Sequence, residues 1–232
     1  MNQSIIGLVG GAGVGRGEVS RVAKRLPYYY QQLLREYGDP VKYWPQWCSQ
    51  DKSVADREKI VIGMVLVQRT SWHNADIALK NLKKAGLLSI NRITKLKTLA
   101  KLTQLIRPAG FYQSKPGRLK DLCAFIVAIG GIAELIRKEA SEIRPDLLSL
   151  KGVGQETADT VLLYALDKPV FVIDEYTRRW VTKNGLTPEK DYVRLQDYFE
   201  SNLPPDKDVY QKFHALIIIS QRGRDKSVME IV

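Results

Sequence analysis

A hairpin of glycines and an aspartate behind an apolar run are the residues whose types and spacing could do chemistry. Residues 145–166 read PDLLSLKGVGQETADTVLLYAL. The pattern predicts a short helix ending at Leu150, a tight turn through Lys151, Gly152, Val153 and Gly154, and a second helix from Gln155. Ala158, Val161, Leu162 and Ala165 then share one face of that second helix. Gly152 and Gly154 let the backbone approach another surface closely, and the free N–H groups of the following helix suit a phosphate. A plain helical hairpin with a glycine turn fits the same residues. Downstream, the apolar run Pro169 to Ile173 leads into Asp174 and then EYTRRW. An Asp at a helix start is first of all an N-cap, worth about 1 kcal/mol. The apolar run would also hold its carboxylate beside a partly dry cleft, where the charge matters for chemistry.

A second glycine cluster, GLVGGAGVGRG at residues 7–17, invites a phosphate-loop reading and fails it. Arg16 and Gly17 stand where that loop needs Lys and Ser/Thr, so residues 1–17 read as a flexible lead-in. Residues 18–47 are basic and aromatic, with Tyr28, Tyr29 and Tyr30 followed by YWPQW at 43–47, suited to core packing or to stacking on bases.

The elements that must position these groups read as helices. Ser53 and Asp56 form a capping-box pattern ahead of Ile60, Val61, Met64 and Val65, although residues 60–67 are β-branched enough to pass for a buried strand. Helices follow at 71–85, 93–106, 114–129 and 132–143, with a short one at 145–150, punctuated by Gly86, Pro108-Ala109-Gly110 and Gly130-Gly131. Short links between amphipathic helices indicate an all-α fold.

Composition narrows the partners. The 232 residues carry 36 Lys/Arg against 25 Asp/Glu, a net charge of +11, with a pI near 9.6. A polyanion, nucleic acid first, suits that excess. Two cysteines, Cys48 and Cys123, have no CxxC spacing and suit a reducing cytoplasm rather than a disulfide framework or a zinc site. No run approaches the length of a membrane span, and residues 1–12 make a poor signal peptide. The expected location is cytoplasmic, at the nucleoid.

LKGVGQETADTVLLYA followed by VIDEYTRR resembles the hairpin, loop and aspartate signature of the helix-hairpin-helix DNA glycosylases, the endonuclease III superfamily. Upstream, VLVQRT at 65–70 is similar to the family helix whose glutamine fills the opened duplex, and IRPAGFYQSK at 106–115 to its loop and helix start. RPAGFYQSK, KYWPQW and GQETAD are most similar to the 3-methyladenine branch. The resemblance covers about residues 43–222. It implies a two-lobed fold: a six-helix bundle over 52–168 ending in the hairpin, and a second helical lobe from 18–51 and 169–232. DNA would lie between them.

The roles it implies fall on named residues. Asp174 would stabilise an oxocarbenium-like sugar or position water. Gln68 would fill the space of the extruded nucleotide. Lys151, Gly152, Val153, Gly154 and Gln155 would hold a phosphate, with a monovalent cation on the Leu150 and Val153 carbonyls. Arg178, with Arg222, Arg224 and Lys226, would meet further phosphates. Trp44, Trp47, Trp72 and Tyr112 are candidates for the base pocket, where aromatic faces attract a cationic alkylated purine. Glu156 stands where strand-cutting members carry the Schiff-base lysine, so the resemblance implies a monofunctional enzyme. Glu156 would polarise water or contact the base, or serve as a first-turn acid favoured by the helix dipole. No other metal and no cofactor is expected: residues 222–232 lack the four cysteines that bind a [4Fe–4S] cluster in relatives. The expected partner is duplex DNA carrying a damaged base, met by a monomer. A uracil or thymine-mismatch glycosylase, a lyase using Lys151 and a non-catalytic DNA-binding module are the alternatives.

Overall fold

A computed structural model describes residues 25–222; the glycine-rich lead-in, Arg224 and Lys226 lie outside them. Thirteen α-helices and no strand are found among the described residues, which gives the all-α fold expected. Helix α1 spans Arg25–Tyr37 and α2 Pro45–Cys48. The bundle then runs through α3 (Val54–Val67), α4 (Trp72–Lys84), α5 (Ile90–Thr94), α6 (Ala100–Ile106), α7 (Lys115–Ala128), α8 (Ile132–Arg137), α9 (Ala140–Ser149) and α10 (Gln155–Thr160). The described residues end with α11 (Glu175–Lys183), α12 (Tyr192–Glu200) and α13 (Lys207–Arg222).

The β-branched run at 60–67 is helical because α3 is the central helix. Ser53 caps it, with Asp56 N–H on the Ser53 hydroxyl and Ser53 N–H on the Asp56 carboxylate. Ile60 through Leu66 are all buried, so no polar face interrupts the run and no helical period shows in the sequence. Helices α4, α7, α8 and α10 surround it.

The bundle is cut more finely than the six helices expected, with eight between Val54 and Thr160. The helix read at 93–106 is two, α5 and α6, separated around Lys95–Leu99. The one read at 132–143 breaks at Lys138, where Glu139 starts α9 with a capping box to Glu142. Pro145 then lies inside α9 instead of opening a helix of its own.

Helix α10 continues into a wider π-type segment, Val161–Ala165, that brings Tyr164 inward and leads to Asp167 at φ +55°. Lys52, Arg57 and Gln211 converge on the Asp167 carboxylate and tie α3 and α13 together behind the hairpin. Arg144 of α9 grips buried Asp159 with two bonds of 2.6 and 3.0 Å, and Gln196 of α12 donates to the same carboxylate. Helix α13 packs on α1, α2, α11 and the π-type segment, so it forms one wall of the cleft beside Asp174.

Candidate active site

A cavity of about 250 Å³ opens where α2, α3, α10, α11 and α13 meet, and it gathers most of the expected site. Asp174, Glu156, Gln68, Trp44, Trp47 and Trp72 all line it. Tyr112 does not: its ring is exposed beside Arg107, 5.7 Å from the guanidinium carbon. Gly110 at φ +72° and Phe111 at φ +48° turn the chain there, so Phe111 faces the hairpin groove in place of its neighbour. That corrects the assignment of Tyr112 to the pocket.

Asp174 takes both roles open to it in the sequence. It is the N-cap of α11, accepting the Thr177 N–H at 2.6 Å through Oδ1. Phe171, Val172 and Ile173 ahead of it are buried, and Gln196 and Glu200 satisfy the Phe171 carbonyl and amide. The run is held as a strut that delivers the carboxylate to the cavity. Burial works to raise the Asp174 pKa, but the His214 imidazole and the Thr177 groups outweigh it and leave the carboxyl below its ordinary value. Asp174 is therefore ionised in a place only 9 % exposed.

Glu156, in the first turn of α10, looks across the same space. Its side chain is solvent-exposed at the open mouth, yet the cleft walls displace enough water to push its carboxyl up, and the Asp174 charge adds to this. Two carboxylates with opposite shifts face one cavity, an arrangement that separates an anion from an acid.

Aromatic rings form the cavity's apolar wall. Trp47 meets Trp72 edge to face at 5.1 Å and Tyr164 at 5.5 Å. Trp44 and Trp47 are buried and serve as wall and core at once, and their indole N–H groups have no hydrogen-bond partner among the described residues. Tyr176 of α11 lies beneath Arg222, whose guanidinium sits 4.9 Å over the ring and bonds the phenol. Arg222 thus lines the cavity mouth.

Next to the cavity a groove of about 770 Å³ carries Gln68, Arg69, Phe111, Arg118 and the hairpin from Gly152 to Thr157. Gly152 adopts φ +86°, and a Cβ there would sit 2.4 Å from Arg118 Cδ. Lys151 and Gly154 are exposed beside it, and Val153 is buried. Val153 N–H closes the turn onto the Leu150 carbonyl at 3.0 Å. Gln68 ends α3 and donates from Nε2 to the Gly152 carbonyl and the Thr157 hydroxyl, both at 3.0 Å. The glutamine and the hairpin are thereby bound to each other. Arg178 lies elsewhere, in a separate groove on α11, donating to the Lys190 carbonyl with its guanidinium over Tyr192.

Three contributors escape sequence reasoning. Lys115, 2 % exposed, donates from Nζ to the carbonyls of Leu66, Gln68 and Ala109 at 2.8, 3.0 and 2.8 Å, closing the end of α3 that presents Gln68. Burial, with Arg118 adding to it, pulls its ammonium down to about 8. Tyr164 and His214 stand behind Asp174, with Tyr164 Oη 2.7 Å from His214 Nδ1 and His214 Nε2 3.5 Å from Asp174 Oδ2. His214 is one of only two histidines in the chain, which was the one available signal.

Residues 62–205 match the HhH-GPD superfamily of base excision DNA repair proteins. A Methanocaldococcus jannaschii protein named "Putative DNA repair glycosylase MJ1434" is 40 % identical over 195 residues, covering 82 % of this chain and 84 % of its own. Endonuclease III of Thermotoga maritima is 26 % identical over 179 residues, 76 % of each chain. Among solved structures, Helicobacter pylori 3-methyladenine DNA glycosylase bound to 1,N6-ethenoadenine superposes with a TM-score of 0.67 at 27 % identity, covering 88 % of this chain and 96 % of that one. The chain belongs to the HhH-GPD superfamily of base excision DNA repair proteins, as a DNA glycosylase. No described helix is long and apolar enough to cross a membrane.

Proposed function

We propose that the protein is a monofunctional glycosylase that hydrolyses the N-glycosidic bond of a flipped alkylated purine, of the 3-methyladenine type, in duplex DNA. The observation that carries this reading is an ionised, buried Asp174 at one wall of an aromatic cavity lined by no lysine among the described residues. A Schiff base needs an amine at the sugar. The buried amine of the neighbouring groove, Lys115, has the lowered pKa that such chemistry favours, but its Nζ is committed to three carbonyls. Lys151 is exposed on the hairpin and lines neither space.

Extrusion of the nucleotide costs a few kcal/mol. Gln68 is presented for the vacated space, and exposed Phe111 stands beside it as an apolar wedge. The hairpin amides hold a phosphate without reading sequence. The carbonyl oxygens of Leu150 and Val153 are hard, uncharged donors that suit a weakly held monovalent cation.

Inside the cavity the C1′–N bond breaks and its electron pair leaves with the base. A cationic alkylated purine departs neutral. Water bonds C1′ and releases its proton to the solvent, and Asp174 stabilises the positive charge that builds on the sugar. Glu156, across the cavity, polarises that water or donates to the base. Trp47, Trp72 and Tyr164 offer rings to a cationic purine, and the purine bound to the Helicobacter relative supports that class. A backbone-binding module would need the hairpin but no cavity. Base release from a 3-methyladenine duplex, scored with and without alkali, tests the reading. Strand breaks that need alkali support it, and breaks without alkali refute the monofunctional assignment.

A further inference from the structure

His214 has no place in the chemistry so far, yet it is the buried group that faces the reacting carboxylate. It is 4 % exposed and its Nε2 has no hydrogen-bond partner among the described residues; Asp174 Oδ2 lies 3.5 Å away, at the limit of hydrogen-bond range. Its other nitrogen is held at 2.7 Å by the Tyr164 hydroxyl, which also lies 3.1 Å from the Gln211 carbonyl. Tyr164 is itself clamped by Trp47 on the cavity wall. Around the imidazole stand Asp174 from α11, Glu156 from α10, Tyr164 from the π-type segment and Arg222 on its own helix.

The proton arrangement follows from lone pairs. A bare Nε2 aimed at a carboxylate sets two lone pairs against each other in a dry site, at the cost of an unmade bond. A proton on Nε2 removes that conflict, and Nδ1 then takes the single Tyr164 O–H proton at 2.7 Å in preference to its longer acceptor, the Gln211 carbonyl at 3.1 Å. An imidazolium would set a fixed positive charge at the wall meant for a cationic base.

Resting on the glycosylase reading, we propose that His214 is a positioning residue for Asp174: a neutral imidazole with its proton on Nε2, oriented at Nδ1 by the Tyr164 hydroxyl, that holds Oδ2. Thr177 N–H fixes the other oxygen, so the carboxylate cannot rotate and its remaining lone pairs are aimed into the cavity. The Nε2 bond shortens when a nucleotide closes the cavity, as catalytic contacts do on substrate binding. The pairing leaves no local signature in the sequence, because the two residues are separated by 40 positions and meet only where α13 passes behind α11.

The test needs no substrate. The chain has two histidines, so protein labelled with 15N-histidine shows two imidazoles, and His73→Asn assigns them. At pH 8 the His214 ring is expected as the Nε2–H tautomer, with its Nε2 resonance moving in Asp174→Asn and its Nδ1 resonance in Tyr164→Phe. An Nδ1–H tautomer, or an imidazolium at that pH, overturns the proposal whatever lesion the enzyme removes. A kinetic arm follows. His214→Leu should slow single-turnover base release about 10- to 100-fold, the worth of a hydrogen bond to a charged group. Damaged-duplex affinity should hold, and His214→Gln, whose amide nitrogen reaches the Nε2 position, should restore most of the rate. Equal losses in the Leu and Gln variants, or loss of affinity with rate, would make His214 structural only.

Discussion

Asp174 does two jobs that substitution can pull apart. Its Oδ1 caps α11, and its charge faces the cavity from a site 9 % exposed. Asparagine retains an N-cap oxygen and loses the charge, whereas alanine loses both. The cap is worth about 1 kcal/mol, which in a chain of this length is roughly 2–4 °C of Tm. A carboxylate about 4 Å from a developing cation, at an effective dielectric near 20, contributes about 4 kcal/mol, or nearly a thousandfold in rate. Asp174→Asn and Asp174→Ala should therefore lose comparable activity in single-turnover base release while differing in thermal stability, with Ala the lower. Duplex binding should survive in both, because the hairpin groove does not use Asp174. An Asn variant that releases base within about tenfold of the parent would refute the electrostatic argument and leave Asp174 a cap alone.

Other substitutions probe the neighbours. Glu156→Gln should raise Tm at pH 7: a carboxyl whose folded pKa is raised costs stability as pH climbs from its unfolded value through its folded one, and Gln removes that cost. The gain should vanish in melts below the ordinary glutamate range; a gain that persists at pH 3 would contradict it. Lys115→Met leaves three carbonyls without their donor and should cost about 3–5 kcal/mol by denaturant unfolding. It should also weaken damaged-duplex binding by loosening the Gln68 turn, and unchanged stability would deny Lys115 its role as clamp. Gly152→Ala puts a Cβ against Arg118 in a backbone at φ +86°, so duplex affinity should fall equally for damaged and intact DNA. A loss confined to damaged duplex would move the hairpin's role from phosphate to base.

What was legible in the sequence was local. The hairpin and Asp174 could be found because a glycine turn, a helix start and an apolar strut each leave a short signature. Glu156 follows by counting from Gly154, and the tryptophans came from resemblance. What was not legible depends on contacts across the chain. Lys115 meets Leu66 and Gln68 from nearly 50 positions away, and Tyr164 and His214 converge only after the π-type segment turns the ring inward. Tyr112 was misplaced because the positive φ of Phe111, an unusual conformation outside glycine, exchanges which of two adjacent aromatics faces the groove. The α3 helix could not be told from a strand because burial on every side erased its period.

Base release from a duplex containing 3-methyladenine, assayed in parallel with uracil, thymine opposite guanine and 8-oxoguanine, tests the central claim most directly. The account predicts release from the alkylated duplex, strand breaks only after alkali, and no adduct trapped by borohydride. Breaks without alkali, a trapped adduct, or release confined to another lesion would contradict it.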